Sequence, residues 1–193
     1  DNSSISLEIV NNAQQGSASI QGQGFLYSPE PNFNGLDFFT YKVFDGDLYS
    51  NEATIFIYVL PTNDPPVFGL NENQEMDEDS MLEIVILASD IDGDSLSFIS
   101  SLEDDSNASL SMNDNIITVT PDYNWYGELV INLTVSDVFG LEDNQSIVVN
   151  VLPINDTPEF SSNPIIVATE DELYQYQIEV SDPDSDNFYF YLI

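Results

Sequence analysis

The sequence is notable first for the side chains that it lacks. Its 193 residues contain no cysteine and no histidine, and Lys42 is the one basic residue against 35 acidic residues, giving a formal net charge of −34. Without cysteine there is neither a disulfide framework nor thiol chemistry. Without histidine as well, Ser-His and Cys-His nucleophilic systems are excluded. Nucleic acid and anionic membranes are poor partners, because phosphate binding needs basic residues.

Long apolar runs are also missing. No stretch reaches the roughly 18 apolar residues of a membrane-spanning helix, so we expect no membrane insertion in this segment. No basic region precedes an apolar stretch, as it would in a signal peptide. The chain starts inside a motif, so we expect a piece of a longer protein, and the missing signal peptide is uninformative.

Strong acidity can indicate disorder, but 42% of the residues are hydrophobic and they fall in strand-like runs, which indicates folded domains. The mutual repulsion of the acids must be relieved by bound cations, by salt, or by both. A halophilic proteome would also give this charge. It would scatter the acids, however, and not place them at a fixed interval.

That interval is 92 residues, and it relates clusters of polar and acidic side chains. An Asn-Asp pair beside proline is followed by an acid and then by a D-x-D-x-D loop; the first copy is Asn63-Asp64, Glu78 and Asp90–Asp94, and the second is Asn155-Asp156, Glu170 and Asp182–Asp186. Carboxylates repel each other, so clusters in register need a cation to hold them together. Oxygen ligands alone point to a hard cation, and we expect Ca²⁺.

Between these clusters, apolar residues alternate with polar ones and are interrupted every eight to twelve residues by turn residues. Leu129, Ile131, Leu133 and Val135 share one face of a strand, for example. This pattern predicts an all-β sandwich without helix. A 92-residue period suits one folded domain. We therefore predict a domain at 1–66 that lacks its first two strands, a complete domain at 67–158, and the N-terminal part of a third at 159–193.

These motifs resemble the cadherin family, and more closely the bacterial cadherin-like tandem repeats of large surface proteins. The resemblance rests on the N-D-x-P linker after a V-L-P strand end, the E-D that follows, the D-x-D-x-D loop and the N-x-x-G before a Y/L-x-V-x-D strand. It covers the whole chain. It implies Greek-key, Ig-like sandwiches in tandem, with Ca²⁺-binding linkers between them.

The resemblance also implies ligands, position by position. The junction of domains two and three would use Glu78, Asp122, Asn155, Asp156, Asp182 and Asp184. The junction of domains one and two would use Glu30, Asn63, Asp64, Asp90, Asp92 and Asp137. Glu170 repeats Glu78 at the 92-residue interval and is a further candidate ligand. The cadherin D-R-E motif is absent; only Asp122 with Asn124, and Glu30 with Asn32, stand in its place, so the number of ions per junction stays open.

Other acids have a plainer interpretation. Asp-Gly-Asp runs are common turns. Five further acids could equally be metal ligands or solvated neighbours of a site: Asp77, Asp79, Asp94, Asp171 and Asp186. The run Glu103–Asp105 has no counterpart and is interpreted as a solvated loop. Trp125 and its counterpart Phe33 are expected to anchor the core.

The sequence favours a non-enzymatic, Ca²⁺-rigidified extracellular stalk repeat of a cell-surface adhesin-like or filament-forming protein, with neighbouring repeats as partners. One alternative is a glycan- or protein-binding module. Another is an accessory domain of a secreted polysaccharide-degrading enzyme. The incomplete first and third domains indicate either a cut piece or a homotypic head-to-tail contact in which one copy supplies strands to the next.

Overall fold

A computed structural model describes residues 5–104, 106–184 and 187–191. The described residues form sixteen β-strands and no helix, which confirms the predicted all-β class. Accordingly, no helix in these ranges could cross a membrane. The chain divides into two compact units, residues 1–64 and residues 65–193.

The first unit contains two small sheets. Its strands are β1 (Ser6–Asn11), β2 (Gly16–Gln21), β3 (Gly24–Pro29), β4 (Gly35–Phe44) and β5 (Ala53–Val59). One sheet has the order β1-β4-β5 and the other is the hairpin β2-β3. The apolar core is thin: Phe39 is 1% exposed, and its ring lies 5.1 Å from that of Phe25.

The second unit contains the remaining strands: β6 (Val67–Phe68), β7 (Gln74–Asp77), β8 (Leu82–Val85), β9 (Ala88–Ser89), β10 (Ser97–Leu102), β11 (Ala108–Asn113), β12 (Ile116–Pro121), β13 (Gly127–Ser136), β14 (Glu142–Leu152), β15 (Glu159–Phe160) and β16 (Val180–Ser181). Its sheets have the orders β10-β13-β14-β7 and β11-β12-β8, and β6-β9 and β15-β16 are short pairs.

The core of the second unit lies between its two larger sheets. Every second residue is buried from Leu129 onward in β13 and from Ile147 onward in β14, as the alternation predicts, and Ile131, Ile147 and Val149 are 0% exposed. Met76 of β7 and Ile84 of β8 pack into the same cluster. The strands that carry the clusters of acids are thus anchored by apolar side chains.

Apolar residues alternate from Leu82 to Ala88 as they would in a single strand, but the structure has two strands there, because the chain passes from one sheet to another. β8 pairs with β12, whereas β9 pairs with β6. Between them, Ile86 donates its N–H to the Asn115 carbonyl at 2.8 Å, and Leu87 donates to the Asn71 side chain at 2.9 Å. The acids from Asp90 onward come directly after β9, the second of these two strands.

Apolar residues alternate from Tyr174 to Val180 as they do from Leu82 to Ala88, but a strand forms only at the end of this stretch. Val180 and Ser181 pair with Phe160 and Glu159, whereas residues 172–179 are in no strand. In the preceding repeat the equivalent β8 is held by its ladder to β12. No described strand plays the part of β12 for residues 174–177, so their alternating pattern has no sheet to join.

Candidate metal centres

One group of carboxylates joins three separate parts of the second unit. Glu78 follows β7, Asp156 lies in the linker after β14, and Asp184 lies in the loop after β16. One carboxylate oxygen from each lies within 4.8 Å of the others. We call this group the Glu78 cluster. It contains one acid from the start of a repeat, one from the linker after it and one from the following segment.

Hydrogen bonds hold the Glu78 cluster in place. Glu78 is 1% exposed, and its carboxylate accepts the Ile154 N–H at 2.8 Å. Asp156 donates its backbone N–H to the Asp184 carboxylate. Asp184 in turn donates its N–H to the Asp182 carboxylate at 2.9 Å. Backbone donors therefore orient the carboxylates toward one another despite their like charge.

Both burial and the neighbouring charges disfavour the ionised form of Asp156. Burial raises the pKa of Asp156, and the nearby Asp184, Asp79, Glu78 and Asp182 raise it further. A raised pKa means that the folded environment disfavours the ionised form of the carboxyl group. A bound cation would reverse this effect, since a positive charge stabilises the ionised carboxylates.

Asn124 lies beside the same group. With its amide nitrogen facing the acids, it donates to Asp156 and to Asp79 at 3.2 Å each. In the opposite orientation its side-chain oxygen faces the same two carboxylates, an arrangement that a bound cation would stabilise. Asn124 adopts a left-handed backbone with φ 56°, as does its counterpart Asn32 with φ 60°. The sequence signal for Asn124 was its recurrence as Asn32 at the 92-residue interval, but the interpretation as the remnant of a D-R-E motif gave it no role.

A second group, the Asp90 cluster, contains Asp90, Asp94 and Asp137. Asp90 follows β9 and Asp137 follows β13, and again one oxygen from each lies within 4.8 Å of the others. Asp137 is 6% exposed, and it accepts the N–H groups of Phe139 at 2.8 Å and Leu141 at 2.9 Å. Burial raises the pKa of Asp94, and Asp90, Asp137 and Asp92 raise it further.

The Asp90 cluster contains two oxygens that lack a partner within the described residues. They are one carboxylate oxygen of Asp90 and one of Asp94, and both are buried. Such an oxygen carries a large desolvation cost unless something bonds it. The donors are oxygens alone, which suits Ca²⁺ better than a transition metal. The residues present therefore fit the calcium ion that the sequence predicts.

The other predicted ligands stand outside both clusters. Asp92 and Asp182 neighbour them, since Asp92 donates its N–H to Asp90 at 2.8 Å and Asp182 accepts from Asp184. Asn155 donates its amide to the Asp156 carbonyl at 2.7 Å. Asp122 and Glu170 are exposed and join neither group. Glu30, Asn63 and Asp64 belong to the other compact unit. Metal binding by all of these residues stays a prediction.

Comparison with known proteins gives two kinds of relative. A family model described as bacterial Ig domain matches residues 1–58 and 63–150. Integrin beta-like proteins C and E of Dictyostelium discoideum are each 41% identical to the chain, over 71 and 61 residues; these matches cover 36% and 31% of the chain. The chain spans only 4% and 3% of those two proteins.

Among solved structures, human CDH23 repeats EC21-23 match with a TM-score of 0.57 at 17% identity, over 97% of this chain and 76% of that one. Identity this low shows the fold alone, which is that of cadherin repeats. The two family matches, 1–58 and 63–150, together cover most of the sequence and fall on successive copies of the 92-residue repeat. The chain therefore belongs to the bacterial Ig domain family, with the sandwich fold that cadherin repeats share.

Proposed function

We propose that the chain is a non-enzymatic extracellular stalk segment, in which Ca²⁺ stiffens the junctions between repeats of a cell-surface adhesin-like or filament-forming protein. The observation that supports this is the Glu78 cluster, where the start of a repeat, its linker and the next segment each contribute one carboxylate. A single ion bonded to all three would tie them together.

The mechanism is electrostatic. Without a cation, Glu78, Asp156 and Asp184 repel one another, and this repulsion works against the backbone hydrogen bonds that hold the linker. With Ca²⁺, which takes six to eight oxygens at about 2.3–2.6 Å, the three carboxylates become ligands. Asp182, Asp79 and the Asn124 amide oxygen would supply further ligands. The neighbouring repeats are then the first partners of each domain, and we also propose that copies contact each other head to tail.

Calorimetric titration tests the metal. We expect the chain to bind Ca²⁺ with a dissociation constant of roughly 10⁻⁴–10⁻³ M, as extracellular modules do. Asp184→Asn should remove binding at the Glu78 cluster, because it deletes a charged ligand but keeps an acceptor for the Asp156 N–H. Glu179→Gln is the matched control, since Glu179 is an exposed acid in the same segment.

Small-angle scattering tests the stiffening. The chain in Ca²⁺ should have a larger and better-defined maximum dimension than in EDTA, and Asp184→Asn should resemble the EDTA state in both solutions. If NaCl at the same ionic strength reproduces the effect of Ca²⁺, the acidity is a halophilic trait and the proposal is wrong.

A further inference from the structure

One side of the second unit has two edge strands without a charged side chain. These strands are β10 and β11, Ser97–Leu102 and Ala108–Asn113, which lie next to each other across the sandwich. The edge strands at the other ends of the same two sheets, β7 and β8, carry Glu75, Asp77 and Glu83. Charged side chains are one device that keeps a sheet edge from pairing with another chain. In a chain with 35 acids, the side formed by β10 and β11 lacks that protection.

The backbone groups at the edge of β10 follow from its ladder with β13. Glu103 donates its N–H to the Val130 carbonyl at 2.9 Å, which makes these opposite residues a hydrogen-bonded pair. In an antiparallel ladder every second residue points its N–H and C=O toward the partner strand, and the residues between them point the same groups away. Phe98, Ser100 and Leu102 therefore direct their backbone groups outward, where the described residues form no further strand.

Apolar side chains along this edge are incompletely covered. Phe98 and Leu102 pack against the core but are only half-buried, whereas Val135 and Ile131, which lie opposite them on β13, are 0% exposed. Beside Phe98 the sandwich opens in a cavity of about 400 Å³, so the edge is accessible from solvent. The neighbouring edge strand β11 has less apolar surface to cover, because Ala108 at its start is already buried. A partner strand would therefore gain most at β10.

We propose that β10 pairs with β10 of a second copy of this chain, antiparallel and about a two-fold axis at Ser100. A second copy fits because the strand is complementary to itself: this register places Phe98 opposite Leu102, so apolar side chains meet on the core side. It pairs every residue of β10 that points its backbone groups outward. An axis at Ile99 or at Ser101 would leave one of them unpaired on each copy. Backbone hydrogen bonds provide the affinity, as in other strand additions.

The charges near the contact permit it. Residues 95–102 are uncharged, and the acids that flank them are Asp94 and Glu103. At about 3.3 Å per residue on either side of the axis, the Cα atoms of the two Glu103 residues would lie roughly 20 Å apart, which is more than the Debye length of about 8 Å in physiological salt. The whole chain still carries a net charge of −34, so association should strengthen as NaCl is added.

The contact uses the same surface on both copies, so it closes as a dimer and does not propagate. One strand edge buries less than the roughly 1,200 Å² of a stable interface, so the dimer is weak. The two copies run in opposite directions through the contact, which suits repeats carried on two facing cell surfaces. That last step rests on the proposed function. The strand contact itself does not, and it needs no Ca²⁺.

Disulfide trapping tests the register, because the chain has no cysteine of its own. Ile99→Cys and Ser101→Cys, both exposed, are mixed and oxidised mildly in EDTA with about 1 M NaCl, where the Debye length is roughly 3 Å. These positions would lie opposite each other, so we expect a mixed dimer in excess. In either symmetric dimer the cysteines would be offset diagonally by roughly 7–8 Å, which a disulfide does not span without backbone movement. Ser109→Cys with Ser111→Cys, at the matched positions of β11, should give no excess.

Light scattering at high protein concentration tests the backbone contact. Ser100→Pro removes an N–H that points away from β13, so the ladder within the sheet is kept. It should reduce the association constant roughly tenfold or more, because hydrogen bonds on both copies are lost. Ser100→Ala keeps the N–H and should leave association unchanged. Ser101→Asp keeps every backbone group and adds a charge opposite Ile99, so it should also weaken the dimer.

Three results would overturn the proposal: no excess of the mixed dimer, an excess of a symmetric one, or equal trapping on β11. Association that is unaffected by both Ser100→Pro and Ser101→Asp would overturn it as well. An excess of the mixed dimer in EDTA upholds the strand contact whatever the calcium titration shows, so this proposal and the proposed function can fail separately.

Discussion

The carboxylate of Glu78 accepts the backbone N–H of Ile154 at 2.8 Å, and the Glu78 N–H donates to the Leu152 carbonyl at 2.9 Å. The acid is thus bound by side chain and backbone to the end of its own repeat. Because it is 1% exposed, it cannot turn to solvent to escape Asp156 and Asp184. The carboxylate is therefore positioned for a cation before one arrives.

The first prediction is that Glu78→Gln has opposite effects with and without calcium. In EDTA the change removes one of the like charges that raise the pKa of Asp156, while the amide oxygen still accepts the Ile154 N–H, so the melting temperature should rise. In Ca²⁺ a ligand is lost, so it should fall below that of the parent protein. Glu75→Gln, an exposed acid on β7, should do neither. A loss of stability in both solutions would mean that Glu78 has only a structural role.

The second prediction concerns Asp37, which is 2% exposed in the first unit. Burial raises its pKa, but the N–H groups of Gln14, Phe38 and Gln15 and the Tyr27 hydroxyl outweigh this, and the pKa lies below the ordinary value. A lowered pKa stabilises the fold above the unfolded-state value of about 3.9, and this stabilisation is lost as the pH falls through the folded-state pKa.

Thermal unfolding followed as a function of pH measures this effect. Asp37→Asn should lower the stability of residues 1–64 at neutral pH and flatten its decline in acid. Asp47→Asn, at an exposed acid of the same unit, controls for the loss of one charge. An unchanged acid profile in Asp37→Asn would contradict the assignment.

The third prediction compares two glycines at equivalent positions. Gly127 has φ 149°, and a Cβ there would lie 2.9 Å from the Trp125 ring; Gly35 has φ 123°, and its nearest atom would be 3.8 Å away on Phe33. Both Gly→Ala changes incur backbone strain of about 1–3 kcal/mol. Only Gly127→Ala should also displace an aromatic ring, seen as a shift in the fluorescence of the single tryptophan. Equal destabilisation with no shift would contradict this packing.

The fourth prediction compares how tightly the apolar cores of the two units are packed. Ile147→Ala should destabilise the second unit by about 2–5 kcal/mol, as expected for a fully buried isoleucine. Ile55→Ala, its counterpart, should cost the first unit clearly less, because Ile55 is only half-buried. Urea unfolding of each variant at low protein concentration, where association is weakest, measures both values. Equal losses would show that Ile55 is packed as tightly as Ile147.

Sequence reasoning located strands where burial on one face produces alternation, as in β4, β5, β13 and β14. It missed β7 and β11, because Gln74–Asp77 contains a single apolar residue and Ala108–Asn113 alternates weakly. β7 is a strand because its backbone pairs in parallel with β14. That partner lies more than 70 residues away in the chain, so no local pattern could reveal it.

The sequence by itself determined the repeat, the all-β class, the exclusion of His- and Cys-based chemistry, and which acids recur in register. Those properties follow from residue type and spacing alone. The tertiary structure decided which acids meet. It selected Asp94 together with Asp90 and Asp137, placed Asn124 between Asp79 and Asp156, and left Asp122 and Glu170 apart. The reason is physical: a cluster depends on where strand crossings and loop hydrogen bonds direct each carboxylate, and those bonds join residues that are distant in the chain.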